Sequence, residues 1–196
     1  MERKCVLLST SEWLLQCTDL SAGYSSAVTG KVSFKLASGE VLGVRGQNGV
    51  GKSTLLRAIA GSARLFSGSL NRDSGTEVLH HQQNWEAGTE LPLTGKDLCH
   101  LTGASLDAAP ERIRLLLGKR LDQLSGGQGQ LVRLWACLDS TAALLLLDEP
   151  TNSLDTSAIE LLTKMIHQTS PDRGMIVVSH EAQFLDAVCN RSITLE

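Results

Sequence analysis

Apolar positions along this chain fall into short runs separated by glycine-rich and polar stretches. Residues 31–36 alternate polar and apolar, which predicts a half-buried strand. The run Val41-Leu42-Gly43-Val44 predicts a strand covered on both faces. A glycine-rich loop over 46–51 follows, then a helix over 53–60 with Leu55, Leu56 and Ile59 on one side and Gly61 as its stop. A second buried strand is predicted over 143–147. Asp155 is placed to cap a helix in which Ile159, Leu162 and Ile166 share a face. Residues 175–178 predict a third buried strand, with a further helix from about Glu181. Strand, loop, helix and strand in this order predict an α/β fold with a mainly parallel sheet, and the early alternating pattern adds an antiparallel β portion. Residues 84–138 lack strong strand signals and are expected to be helical. There is no internal repeat, so 1–196 is expected to form a single domain with the helical segment inserted into it.

Composition narrows the class. Of the 196 residues, 42% are hydrophobic and 20% charged, which argues against disorder, and the net charge of −3 argues mildly against a nucleic-acid backbone binder, which would usually show a basic face. The cysteines, Cys5, Cys17, Cys99, Cys137 and Cys189, are scattered, odd in number and without a CxxC pair. That pattern predicts reduced thiols and a cytoplasmic location. No apolar stretch approaches the ~20 residues a membrane span requires, and Met1-Glu2-Arg3-Lys4 does not open a secretory leader. Any membrane part must come from other chains.

Three motifs carry chemistry. Gly46-Gln47-Asn48-Gly49-Val50-Gly51-Lys52-Ser53 fits G-x-x-x-x-G-K-[ST]. Its glycines let backbone N–H groups converge on phosphate oxygens, Lys52 adds positive charge, the Ser53 hydroxyl can ligate Mg²⁺, and the helix continuing through Thr54 points its N-terminus at the anion. The apolar strand Leu144-Leu145-Leu146-Leu147 ends in Asp148-Glu149. Asp148 there suits Mg²⁺, and Glu149 suits a general base for an attacking water. Finally, Ser125-Gly126-Gly127-Gln128 could let a helix N-terminus approach phosphate closely or could be an ordinary helix entry.

With that tetrad 20 residues ahead of Asp148, the chain from about residue 13 to its end resembles the ABC ATPase superfamily. The resemblance implies an ATPase that uses ATP and Mg²⁺, with Ser125–Gln128 as a signature sequence. Asn152-Ser153-Leu154-Asp155 is similar to the D-loop. His180 resembles the switch histidine at the γ-phosphate, and Tyr24, the only tyrosine, resembles the aromatic residue that stacks on adenine. Adjacent Gln82 and Gln83 both compete for the Q-loop position that reaches Mg²⁺ and water, and the family's spacing favours Gln83. His80 and His81 beside them suggest a metal pair, but neighbours on a strand face opposite ways, and ordinary strand-end residues are expected.

The resemblance further implies a homodimer or heterodimer of ATPase subunits, each ATP lying between one subunit's phosphate loop and the other's signature. Membrane-embedded permease subunits are the implied partners, with the chain peripheral on the cytoplasmic face and no nucleic acid involved. Thr89-Glu90-Leu91-Pro92-Leu93-Thr94 looks like a stretch found in importers of zinc, manganese or related metals. A chain ending soon after His180 is also similar to the haem-export ATPases, and a non-transport ATPase of iron–sulfur cluster assembly would share the same chemistry. Departures are Gly129-Gln130-Leu131 where basic residues are frequent, Ala136 where arginine is frequent, and Gln47 where proline is usual.

Overall fold

The structure is a computed structural model that describes residues 13–73, 75–82 and 92–196. Its centre is a five-stranded parallel sheet in the order β5-β6-β7-β3-β8, formed by β3 (Val41–Arg45), β5 (Val78–His81), β6 (Leu144–Asp148), β7 (Gly174–Val178) and β8 (Arg191–Thr194). Every residue of β6 and β7 is buried, as expected of central strands covered on both faces. Their side chains alternate between two cores. Leu144, Leu146, Ile176 and Val178 face one, while Leu145, Leu147, Met175 and Val177 face the other.

The first core is closed by α1 (Lys52–Ile59) and a three-stranded antiparallel sheet, β2-β1-β4, of β1 (Leu15–Gly23), β2 (Val32–Leu36) and β4 (Arg64–Arg72). β2 buries Val32, Phe34 and Leu36 and exposes Ser33 and Lys35, the predicted alternation. β1 escaped prediction because a bulge breaks its period. Leu15 and Cys17 point inward, Asp19 sits at φ 48°, and Leu20 and Ala22 then resume inward with opposite parity. β4 escaped it because the strand is largely exposed and offers no apolar face.

The second core is closed by helices of the predicted helical segment, α2 (Gly95–Thr102), α3 (Glu111–Arg114) and α4 (Gly126–Leu138), and by α5 (Thr156–His167) and α6 (Ala182–Val188). Thr94 begins α2 with a capping box, its backbone N–H donating to Asp97 Oδ2 at 2.8 Å and its hydroxyl accepting from the Asp97 N–H. Arg173, just ahead of β7, donates to the carbonyls of Ala142 and Leu138 and so ties the end of α4 to the sheet. Among the described residues, no helix is long and apolar enough to cross a membrane.

Candidate functional site

The C-terminal ends of β3, β6 and β7 meet at one edge of the parallel sheet, where open α/β sheets bind ligands. Strand β3 passes into the glycine-rich loop, whose geometry only glycine tolerates. Gly46 lies at φ 147°, and a Cβ there would stand 2.8 Å from the Leu195 carbonyl oxygen. Gly51, at φ 102°, caps α1 without a side-chain hydrogen bond, and a Cβ there would stand 2.7 Å from Thr29 Cγ2. The α1 N-terminus therefore faces the loop with backbone donors that no side chain occupies.

Lys52 is buried, and its Nζ donates to the carbonyls of Gly46 (2.9 Å) and Gln47 (3.0 Å), which fixes the charge inside the loop. Ser53 Oγ donates to Asp148 Oδ1 at 2.9 Å. Burial pushes the Asp148 carboxyl above its ordinary range; the Ser53 hydroxyl opposes this, while the neighbouring Glu149 charge adds to it. The next residue, Glu149, sits at φ 49°, a left-handed conformation costing a non-glycine residue about 1–3 kcal/mol. Its N–H donates to the Val178 carbonyl at 2.9 Å. Its carboxylate accepts the His180 N–H at 3.2 Å and lies 2.8 Å from His180 Nδ1. Strain, burial and two contacts to His180 thus aim one carboxylate.

These groups open on a cleft of about 480 Å³ lined by Asn48, Gly49, Gly51, Lys52, Ser53, Thr54, Glu149 and His180, together with Val28 and Asn152. Backbone donors, an ammonium and a helix N-terminus suit a polyanion on one wall. A carboxylate beside an imidazole can hold or move a proton on the other. A family model described as ABC transporter matches residues 29–152, well over half of the chain.

The chain belongs to the ABC transporter family. Within that family it is an ATP-binding subunit, an ATPase whose hydrolysis is coupled to transport. The zinc import ATP-binding protein ZnuC of Roseobacter denitrificans is 35% identical over 191 residues, covering 93% of this chain and 75% of that protein. The protein of the same name from Paracoccus denitrificans is 33% identical over 93% of this chain and 76% of its own length. A solved ABC transporter ATP-binding protein of Pyrococcus furiosus superposes with a TM-score of 0.78 at 23% identity, over 92% of this chain and 96% of that one, a likeness in fold.

Other residues of this ABC ATPase lie outside the cleft lining. Gln47 and Val50 shape the loop through its backbone, Val50 N–H donating to the Gln47 carbonyl. Tyr24 is about half exposed, and its hydroxyl accepts from Arg57 Nη1 at 2.7 Å. Ser125-Gly126-Gly127-Gln128 starts α4 with a capping box between Ser125 and Gln128, so the ordinary helix-entry geometry is present in full. Gly127 packs so closely on the turn ahead of α5 that a Cβ would stand 2.6 Å from the Ser153 carbonyl oxygen, whereas one on Gly126 would meet only Ser153 Cβ at 3.9 Å. Asp155 caps α5 by accepting the Ala158 N–H at 2.7 Å, and Arg112 of α3 pairs with its other oxygen at 3.1 Å. Those contacts hold its carboxyl down at about 2, the Ser157 hydroxyl contributing most.

Gln83 and the stretch Thr89-Glu90-Leu91 lie outside the described residues, while Gln82 is half-buried at the end of β5. Sequence reasoning overlooked Val28, a lone valine in a polar turn that carries no signal of its own. Gln130 was noted only as a departure from the family's basic residues; as an uncharged polar residue at the start of an otherwise apolar helix run it could also have been read as a buried anchor.

Proposed function

We propose that this chain is the ATP-hydrolysing subunit of a metal-ion importer, and that the ion is zinc. The observation that supports the enzymatic part is the single cleft in which Lys52, the Ser53–Asp148 pair and the Glu149–His180 pair converge. The substrate part is supported by the names of its relatives, zinc import ATP-binding proteins over 93% of this chain.

The phosphate loop residues Gly46, Gln47, Asn48, Gly49, Val50 and Gly51 receive the triphosphate on backbone N–H groups, with Lys52, Ser53 and Thr54 completing the cradle. Tyr24 stacks on the adenine ring. The Ser53 hydroxyl and the Asp148 carboxylate are hard oxygen donors lying side by side, a pair that suits Mg²⁺. Those two residues would hold the ion, joined by Gln83, and when bound it neutralises charge on the β- and γ-phosphates. Glu149 orients a water whose oxygen attacks the γ-phosphorus. The bond to the bridging oxygen breaks, ADP leaves with that electron pair, and the water's proton passes to the Glu149 carboxylate. His180 holds that carboxylate and contacts the γ-phosphate.

Two ATPase subunits, identical or paired with a relative, close head-to-tail on ATP. Ser125, Gly126, Gly127 and Gln128 of one act on the nucleotide held by Lys52 of the other, and Asp155 lies at the seam. ATP binds the closed state more tightly than the open one, and hydrolysis releases it, which is the differential affinity that moves attached permease subunits. Residues 1–196 work as one ATPase domain on the cytoplasmic face of the membrane, with about 84–138 facing the permease.

The test is an affinity pull-down from detergent-solubilised native membranes, followed by reconstitution of the eluate into vesicles. The expected result is a polytopic membrane partner, ATPase activity abolished by Lys52→Ala, and ATP-driven zinc uptake. Recovery of soluble partners alone with ATPase activity intact would replace the transporter reading with that of a non-transport ATPase. Uptake of another metal in place of zinc would overturn the substrate.

A further inference from the structure

Gln130 stands two residues beyond the signature tetrad, on the first turns of α4, and is only 4% exposed. Its side chain spans two elements of the site. Nε2 donates to the Pro150 carbonyl at 3.2 Å, on the residue directly after Glu149. Oε1 accepts from Arg133 Nη2 at 2.9 Å, one turn further along the same helix. The second contact decides the orientation of the first. A guanidinium can only donate, so the amide oxygen must face Arg133 and the amide nitrogen must face Pro150. One buried amide therefore ties the signature helix to the turn that carries Glu149.

That turn needs anchoring. Glu149 holds a left-handed backbone that a non-glycine residue keeps only when its surroundings over-determine it. Its N–H is fixed by Val178, and its carbonyl accepts the Asn152 N–H at 3.2 Å. On the far side of the Glu149–Pro150 peptide, the anchor is the Gln130 amide. Releasing it leaves a buried carbonyl without that donor and lets the strained residue relax, which swings the carboxylate away from where it reaches into the cleft.

We propose that Gln130 is a positioning residue for Glu149, holding the strained turn from the signature helix while Arg133 sets the direction of its amide. The inference rests on the assignment of Glu149 as general base. It acts on the chemical step and leaves the phosphate cradle, built on the opposite wall, unaltered.

The experiment measures steady-state ATPase activity of the assembled complex across a range of ATP concentrations for Gln130→Leu and Gln130→Glu, with nucleotide affinity read separately from a fluorescent ATP analogue. The carboxylate of Gln130→Glu is nearly isosteric with the amide and keeps a partner for Arg133. When ionised it has no donor for Pro150, so this variant tests the hydrogen bond even if the leucine variant folds poorly. The expected result is kcat lowered at least tenfold in both variants, nucleotide affinity within twofold of the wild type, and partial recovery of kcat in Gln130→Glu as falling pH protonates the carboxyl. Wild-type kcat in Gln130→Glu would overturn the inference. So would a parallel loss of kcat and nucleotide affinity, which marks Gln130 as scaffold only. Glu149→Gln assayed alongside separates the two claims: undiminished hydrolysis there defeats the general-base assignment itself, whatever the Gln130 variants do.

Discussion

The imidazole of His81 gives the fold an acid-sensitive point whose size can be worked out. It is buried at the end of β5, its Nε2 has no hydrogen-bond partner among the described residues, and its pKa is lowered from 6.5 to about 3. Burial is the main cause, the nearby Arg133 charge and His80 add to it, and the Gln130 side chain works the other way. Because the folded pKa lies below the unfolded one, the unfolded chain binds the extra proton between these values. Stability from this group is complete above about pH 6.5 and is lost as the pH falls toward 3. At about pH 4.5 the unfolded state has gained roughly two pKa units of protonation free energy that the folded state has not, or about 2–3 kcal/mol. For a chain of this size that corresponds to a melting temperature lower by about 5–10 °C. His81→Val removes the group. The absolute melting temperature of the variant at neutral pH depends on packing, but the difference between neutral pH and about pH 4.5 does not. Circular dichroism melts of both proteins across that range should give a markedly flatter profile for His81→Val. A residual slope remains from His80, whose pKa is lowered to about 4, and the raised carboxyl of Asp148 acts equally in both proteins and cancels. Identical slopes in the two proteins would refute the reasoning and mean that His81 is protonated or hydrated in the folded state.

Glu149→Gln should retain ATP binding while hydrolysis falls at least a hundredfold, the ordinary contribution of a positioned general base, as read by single-turnover phosphate release. Unchanged turnover would remove Glu149 from that role. Gly127→Ala introduces a Cβ 2.6 Å from a backbone oxygen that is not free to retreat, and overpacking of this kind costs about 1–3 kcal/mol. Its melting temperature should fall by several degrees, while Gly126→Ala, which meets nothing closer than 3.9 Å, should melt near the wild type. Equal effects of the two substitutions would show that the close approach is not rigid.

What could be read from the sequence follows the physics of each segment. The glycine-rich loop between β3 and α1 was legible because its constraint is local: glycines at fixed offsets, one lysine and one hydroxyl between a strand and a helix. Leu144 to Glu149 was legible because a strand buried on both faces must be continuously apolar and then end in charge. The α5 start was legible because Asp155 caps it as its residue type predicts. β1 was hidden by a bulge that reverses its inward parity at Asp19, and β4 by its exposure. The roles of Gln130, His81 and Val28 were hidden for a different reason. Their significance comes from groups far away in the chain, Pro150 for Gln130, Arg133 for His81 and the cleft for Val28, and only folding brings these together.

Strand β6 makes a demand on this molecule that substitution experiments would miss. Its four leucines are nearly interchangeable in chemistry, yet odd and even positions belong to different cores, and the pair Asp148 and Glu149 is aimed by the same count. Conservative replacements along it should be absorbed singly. Deleting or inserting one leucine would exchange both cores at once and turn the two carboxylates to the wrong side of the sheet. The chain is therefore far more tolerant of changes in spelling here than of a change in length, and frame-preserving single-codon deletions are the lesions this strand can least survive.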